Sequence, residues 1–202
     1  MKHVLSVLAL AAGTALAAPA FAQSGTFRAV ASGPAESPPN GSAGSSLVTI
    51  EVIGTQLTVD APFQDLTGTS TVAHVHCCTV DPFTGVAPIA VPFTDLPTGV
   101  RSGSYSATVA LDEAASYDPA FLAANGGTAQ GAYSALVDAM LANEAYVNIH
   151  SSVYPAGEIR GFVVAAPIPE PGEWAMLGVG LAGLVWLGRR RREEDALRLT
   201  TA

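Results

Sequence analysis

The chain has 202 residues, a formal net charge of −8 and 49% hydrophobic residues, which suits one domain with a sizeable core and argues against a disordered chain. Between residues 23 and 168 only Arg28, Arg101 and Arg160 stand against twelve carboxylates, a net of −9. A module this acidic repels nucleic acid, and it suits an exported soluble protein or one that gathers cations.

The chain opens with Lys2, an uncharged apolar run from Val4 to Ala18, and the small-residue site Ala20-Phe21-Ala22. A basic start, a short apolar region and an A-x-A site predict a secretory signal peptide over 1–22, cut by signal peptidase after Ala22. The run is short for a membrane span of about 20 residues.

Thr26 to Ser32 reads as a first strand with Phe27 and Val30 as its larger apolar groups, and Gly33 to Ser45 as a Gly/Pro/Ser-rich loop. Leu47 to Phe63 predicts a hairpin about a Gly54-Thr55 type II′ turn. That turn pairs Val52 with Leu57, Ile50 with Val59 and Val48 with Ala61 on an apolar face. It pairs Glu51 with Thr58 and Thr49 with Asp60 on a polar one. One register that sorts both faces predicts a hairpin with one side buried.

Thr71 to Cys78 holds two of the three histidines beyond the leader and both cysteines. On a strand His74 and His76 share one face, Ala73 and Val75 the other. Asp81 to Gly99 is irregular, with a short edge strand near Ala87 to Val91. Gly103 to Leu111 alternates Tyr105, Ala107, Val109 and Leu111 against Ser104, Ser106 and Thr108. Asp118-Pro119 predicts a capped helix ending by Asn125-Gly126-Gly127. Tyr133, Leu136, Val137, Met140 and Leu141 then predict an amphipathic helix over one end of the fold. Ala145 to His150 and Gly157 to Val164 are the last strands, with Val147, Ile149, Ile159 and Val163 inward.

Three strands thus carry a polar face opposite a small apolar one: His74/His76, Asn148/His150 and Glu158/Arg160. As sheet neighbours they would form one patch. Three roles suit it. His74, His76 and His150 are a candidate three-nitrogen site for zinc or copper. Alternatively the imidazoles are structural, hydrogen-bonded to Asn148, Glu158 and backbone, with Arg160 paired to Glu158. Or the patch binds a partner. Alternation puts Cys78 on the histidine face, a further candidate ligand, and Cys77 on the apolar face. Adjacent Cα atoms lie about 3.8 Å apart, below the roughly 4.4–6.8 Å usual for a disulfide, so a vicinal bridge would be strained and easily reduced. Two thiols, an intermolecular bridge or thiolate ligands are the alternatives. Neither a G-x-S-x-G nor an assignable carboxylate pair suggests an enzyme.

The chain closes with Pro169-Glu170-Pro171, an apolar run from Trp174 to Leu187, and Arg189, Arg190, Arg191 and Arg192. The run alone spans about 21 Å against a hydrocarbon core of about 30 Å. Adding Gly172, Glu173 and Gly188, with Trp174 and Trp186 at the interfaces, predicts a transmembrane helix with the arginines cytoplasmic. Gly178 to Gly183 spells G-x-G-x-x-G inside this run, with no strand before it, so it is not a dinucleotide site. The triplet, helix and arginine cluster resemble the bacterial PEP-CTERM sorting signal. That resemblance implies recognition and cleavage by an exosortase, with delivery to the surface or extracellular matrix of a Gram-negative bacterium. The expected segments are a leader over 1–22, a domain over 23–168, a sorting signal over 169–192 and a cytoplasmic tail over 193–202.

Within the domain, Glu36-Ser37-Pro38-Pro39, Gly41-Ser42-Ala43-Gly44, Ala73-His74-Val75-His76, Tyr146-Val147-Asn148-Ile149-His150 and Gly157-Glu158-Ile159-Arg160-Gly161 resemble the CHRD (chordin-like) domain. Cys77-Cys78 stand where that family usually has Gly. The resemblance implies a mainly β, Greek-key β-sandwich similar to the copper/zinc superoxide dismutase fold, with one or two short helices. The H-x-H strand is similar to that of the dismutase, but three histidines are too few for its bridged copper–zinc centre. The expected role is therefore a non-enzymatic surface or matrix module, with a polysaccharide or protein partner. A copper- or zinc-binding protein is the alternative, and dismutase chemistry a weaker one.

Overall fold

A computed structural model of the chain describes residues 24–166, 177–186 and 189–190. The expected leader, with Ala20 and Ala22, lies outside the described residues. So do Pro169, Glu170, Pro171, Arg191 and Arg192. The first unit ends at Ala165 and the second runs from Ala166.

Strands β1 (Ser24–Ser32), β2 (Ser45–Ile53) and β3 (Gln56–Gln64) form a meander. Its second hairpin has the expected register: Ile53 faces Gln56, Val52 faces Leu57, Ile50 faces Val59 and Glu51 faces Thr58. Gly54 sits at φ +59°, as the first position of a II′ turn requires. Val48, Ile50, Val52, Leu57, Val59 and Ala61 are buried, so one hairpin face is core. In β1, Phe27, Ala29 and Ala31 point inward. Val30 does not: alternation places it outside, at 71% exposure.

The chain continues through β4 (Ser70–His76), β5 (Ile89–Pro92) and β6 (Gly103–Ala110). Helices α1 (Pro119–Ala124) and α2 (Ala129–Ala142) follow, then β7 (Tyr146–Ser151), β8 (Ile159–Phe162) and β9 (Val164–Ala165). The Asp118 side chain caps α1 by accepting from the backbone N–H groups of Ala120 and Phe121. Tyr133, Leu136, Val137 and Met140 of α2 are buried in the core, whereas Leu141 is 49% exposed. Leu141 therefore lies off the apolar stripe that the spacing assigned to it.

The strands form one antiparallel sheet in the order β5-β4-β7-β8-β1-β2-β3-β6, with β9 also paired to β1. The mainly β expectation holds, but hydrogen bonding runs through one continuous curled sheet rather than two separate ones. The curl brings its edges together: Phe93, just after β5, stacks on Tyr105 of β6 with ring centroids 4.8 Å apart. Ala73, Val75, Val147 and Ile149 thereby join the hairpin residues in a single core. The topology puts β7 between β4 and β8, so all three polar-faced strands are sheet neighbours.

In the second unit, residues 177–186 are helical and all exposed, among them Leu177, Val179, Leu181, Leu184, Val185 and Trp186. Arg190 lies over the Trp186 ring, its guanidinium carbon 5.6 Å from the centroid. No described helix is long and apolar enough to cross a membrane. The expected extension through Gly172, Glu173 and Gly188 falls outside the described residues.

Candidate metal centre

The register across three strands builds the site. His74 of β4 faces Asn148 of β7, which faces Arg160 of β8; His76 faces Tyr146, which faces Phe162. Ala73, Val75, Val147, Ile149 and Ile159 turn to the core. The opposite face therefore gathers the imidazoles of His74, His76 and His150. His74 and His150 are 5.1 Å apart between ring centroids, His74 and His76 5.5 Å, and His76 and His150 6.2 Å.

The ring nitrogens sort by what they bond. His76 Nδ1 lies 2.9 Å from the Ala87 carbonyl oxygen, and His150 Nδ1 lies 3.0 Å from that of Pro155. A carbonyl only accepts, so each Nδ1 carries the proton and each Nε2 presents a lone pair. Those two Nε2 atoms, with Nδ1 of His74, are buried and have no hydrogen-bond partner among the described residues. One nitrogen from each ring lies within 4.8 Å of the others. Around an ion bound at about 2.0–2.1 Å in tetrahedral geometry they would be about 3.4 Å apart, so binding takes roughly an ångström of side-chain closure.

Burial lowers all three imidazole pKa values. His74 falls to about 4, through burial first and then through its neighbours His150 and His76, against a small opposing pull from Asp118. His76 is lowered by burial against the pull of the Ala87 carbonyl, and His150 by burial against that of Pro155. The rings are therefore neutral at physiological pH, the form that binds a metal. Three neutral imidazoles fit zinc or copper, leaving one position open.

Tyr146, Arg160 and Glu36 surround this cluster. The Tyr146 ring stacks on His76 with centroids 4.7 Å apart and planes 3° from parallel. Arg160 lies over Tyr146 at 4.9 Å, while its Nε and Nη1 donate to the carbonyls of Ala35 and Gly85, both at 2.8 Å. Glu36 lies buried beside Asn148 and Arg160. Burial raises its pKa, opposed by the Arg160 charge and by hydrogen bonds from Ser37 and Asn148. Gly157, at φ +134°, lets them meet: a Cβ there would lie 2.6 Å from Asn148 Nδ2 and 2.8 Å from Glu36 Oε1. Alternation put Tyr146 on this face without marking its stack. Glu36 arrives from a loop, which no strand period could place.

Two expected members are elsewhere. Glu158 is fully buried but turns toward the loops, accepting from Ser42 Oγ and from the backbone N–H groups of Thr67 and Gly68. It precedes β8, on a bend where the pleat no longer fixes its direction. Neither the expected Glu158–Arg160 pair nor a Glu158–imidazole bond is found among the described residues, because its oxygens are taken up by those loops. Burial pushes the Glu158 carboxyl up, but hydrogen bonds from Ser151, Ser42, Thr67 and Gly68 outweigh it and hold the pKa below the usual value.

Cys78 is the other. It forms a disulfide with Cys77, the peptide between them is cis, and both sulfurs face the Ala135 carbonyl of α2. Strand β4 ends at His76, so alternation does not carry on to Cys78, and it is not among the converging groups.

Comparison with known proteins gives one family: the CHRD domain, over residues 27–163. No curated protein and no solved structure matches the chain. The matched span runs from Phe27 of β1 to Val163 and so includes every strand that builds the imidazole cluster. The chain belongs to the CHRD domain family.

Proposed function

We propose that this chain is an exported, non-enzymatic CHRD module that binds a single copper or zinc ion through His74, His76 and His150. The observation that carries this reading is the convergence of three buried ring nitrogens with no hydrogen-bond partner among the described residues. A buried acceptor without a partner costs roughly 1–3 kcal/mol, and an ion in their midst removes that cost three times over. The backbone carbonyls behind His76 and His150 fix tautomer and ring orientation, as metal-ligating histidines require. The acidic surface favours cation capture. Dismutase chemistry rests on the H-x-H strand alone, and a dismutase-like Greek-key arrangement on the CHRD resemblance.

Export rests on the leader, and sorting by an exosortase on the P-E-P triplet, the apolar helical segment and the arginine cluster. The mature product is a surface or matrix component of a Gram-negative bacterium, membrane-attached only before processing. A second reading, binding of a surface polysaccharide or protein, is favoured by one feature. A cleft of about 260 Å³ lies beside the imidazoles, lined by Glu36, Pro38, Asn40, Tyr154 and Pro155 among others. Stacking on a tyrosine with polar groups at the rim suits a sugar ring.

Elemental analysis of the purified protein after copper or zinc loading and desalting tests the metal reading. About one equivalent per chain is expected, lost when His76 and His150 are both replaced by Ala. Equal metal in the double variant, or none in the parent protein, overturns it.

A further inference from the structure

The imidazole cluster explains why three rings converge but not what holds His76 to the plane it adopts. His74 and His150 are 5.1 Å apart at 74°, so they contact each other edge to face. His76 lies flat on Tyr146 instead, its plane turned 86° from that of His74. Tyr146 holds His76 in two ways. Its ring lies parallel beneath the imidazole. Its hydroxyl accepts from the Ala87 backbone N–H at 3.2 Å and lies 3.3 Å from the Ala87 carbonyl oxygen, the atom to which His76 Nδ1 also bonds. One side chain thus sets both the plane of the ligand ring and the place of its hydrogen-bond acceptor.

Arg160 also packs on Tyr146. Its guanidinium lies over the Tyr146 ring while donating to the Gly85 carbonyl, two residues before Ala87. The loop that carries the Ala87 carbonyl is thereby tied to the sheet at two points. Tyr146 is itself 3% exposed, which leaves its ring little freedom to rotate.

We infer that Tyr146 is a positioning residue that orients His76 Nε2 toward the ion, by stacking on the ring and by fixing the Ala87 carbonyl that sets its tautomer. The inference rests on the three-histidine reading. Groups behind a metal ligand are worth about 10–100-fold in affinity. The two contributions separate by substitution: Tyr146→Phe keeps the stack and loses the tie to Ala87, whereas Tyr146→Leu loses both.

The experiment measures Zn²⁺ affinity of the full chain by competition with a chromophoric chelator. It records the copper(II) electron paramagnetic resonance spectrum and the metal-free melting temperature alongside. Ile50→Val is the control. Ile50 is wholly buried in β2, with β8 and β1 between it and β7, so its loss loosens packing away from His76, Tyr146 and Arg160. Affinity is expected to fall about tenfold in Tyr146→Phe and towards a hundredfold in Tyr146→Leu, with an altered copper spectrum in both. Ile50→Val is expected to lower the melting temperature while keeping the parent affinity and spectrum. Parent affinity in folded Tyr146→Leu, or an equal loss in Ile50→Val, overturns the positioning role. A parent protein that takes up no Zn²⁺ and no copper overturns the metal reading itself, and the inference with it.

Discussion

His74, His76 and His150 have pKa values lowered by burial, so the folded, metal-free protein holds fewer protons on them than the unfolded chain just below pH 6.5. By linkage, that stability is complete above about pH 6.5 and drains away as pH falls towards about 4, where His74 titrates. Urea unfolding of the metal-free protein between pH 7.5 and pH 4 is therefore expected to show a falling midpoint, with a shallower fall in His74→Gln. A flat profile over that range would mean that the rings are solvated. Glu158 acts lower: its pKa is held down in the fold, so its contribution is complete above about pH 4.5 and lost in stronger acid. Glu158→Gln, which cannot accept from Ser42, Thr67 and Gly68 at once with the same charge, is expected to cost about 2–3 kcal/mol at pH 7 in chemical denaturation.

At the scale of elements, what was readable from the sequence is the pairing that local period fixes. The β2–β3 register follows from alternation and a two-residue turn, because slipping by one residue would turn Glu51 and Asp60 into the core. Ile50→Ala is expected to cost about 2–5 kcal/mol, since Ile50 is wholly buried. Glu51→Ala, outside, should stay within about 0.5 kcal/mol. Denaturant midpoints for the pair check this, and similar losses would mean that both faces are packed.

The histidine face was equally legible strand by strand: Ala73 and Val75 inward force His74 and His76 outward. What period could not supply is adjacency. The β4–β7–β8 order depends on crossovers from β3 to β4 and from β6 through α1 and α2 to β7. Period also fails where a strand ends, as at Glu158 before β8 and Cys78 after β4. Glu36 and the carbonyls of Ala87 and Pro155 come from loops, whose paths are set by the hydrogen bonds they make.

For the whole molecule, the matched family domain ends at Val163 and the second unit starts at Ala166. The apolar helix at 177–186 is exposed along all its described residues. A helix apolar on all sides calls for lipid or for removal. Intact mass of protein recovered from the cell surface is accordingly expected to lack 169–202. Surface material that keeps Arg189 and Arg190 would count against sorting and cleavage.

Three imidazoles of this CHRD domain are proposed to hold one ion. A crystal structure of the copper- or zinc-loaded protein, with anomalous data at the metal edge, tests it most directly. One anomalous peak is expected about 2.0–2.1 Å from His74 Nδ1, His76 Nε2 and His150 Nε2. The Ala87 and Pro155 carbonyls are expected still to accept from the Nδ1 atoms of His76 and His150. A metal bound elsewhere, or these rings turned apart with no peak between them in loaded crystals, would contradict it.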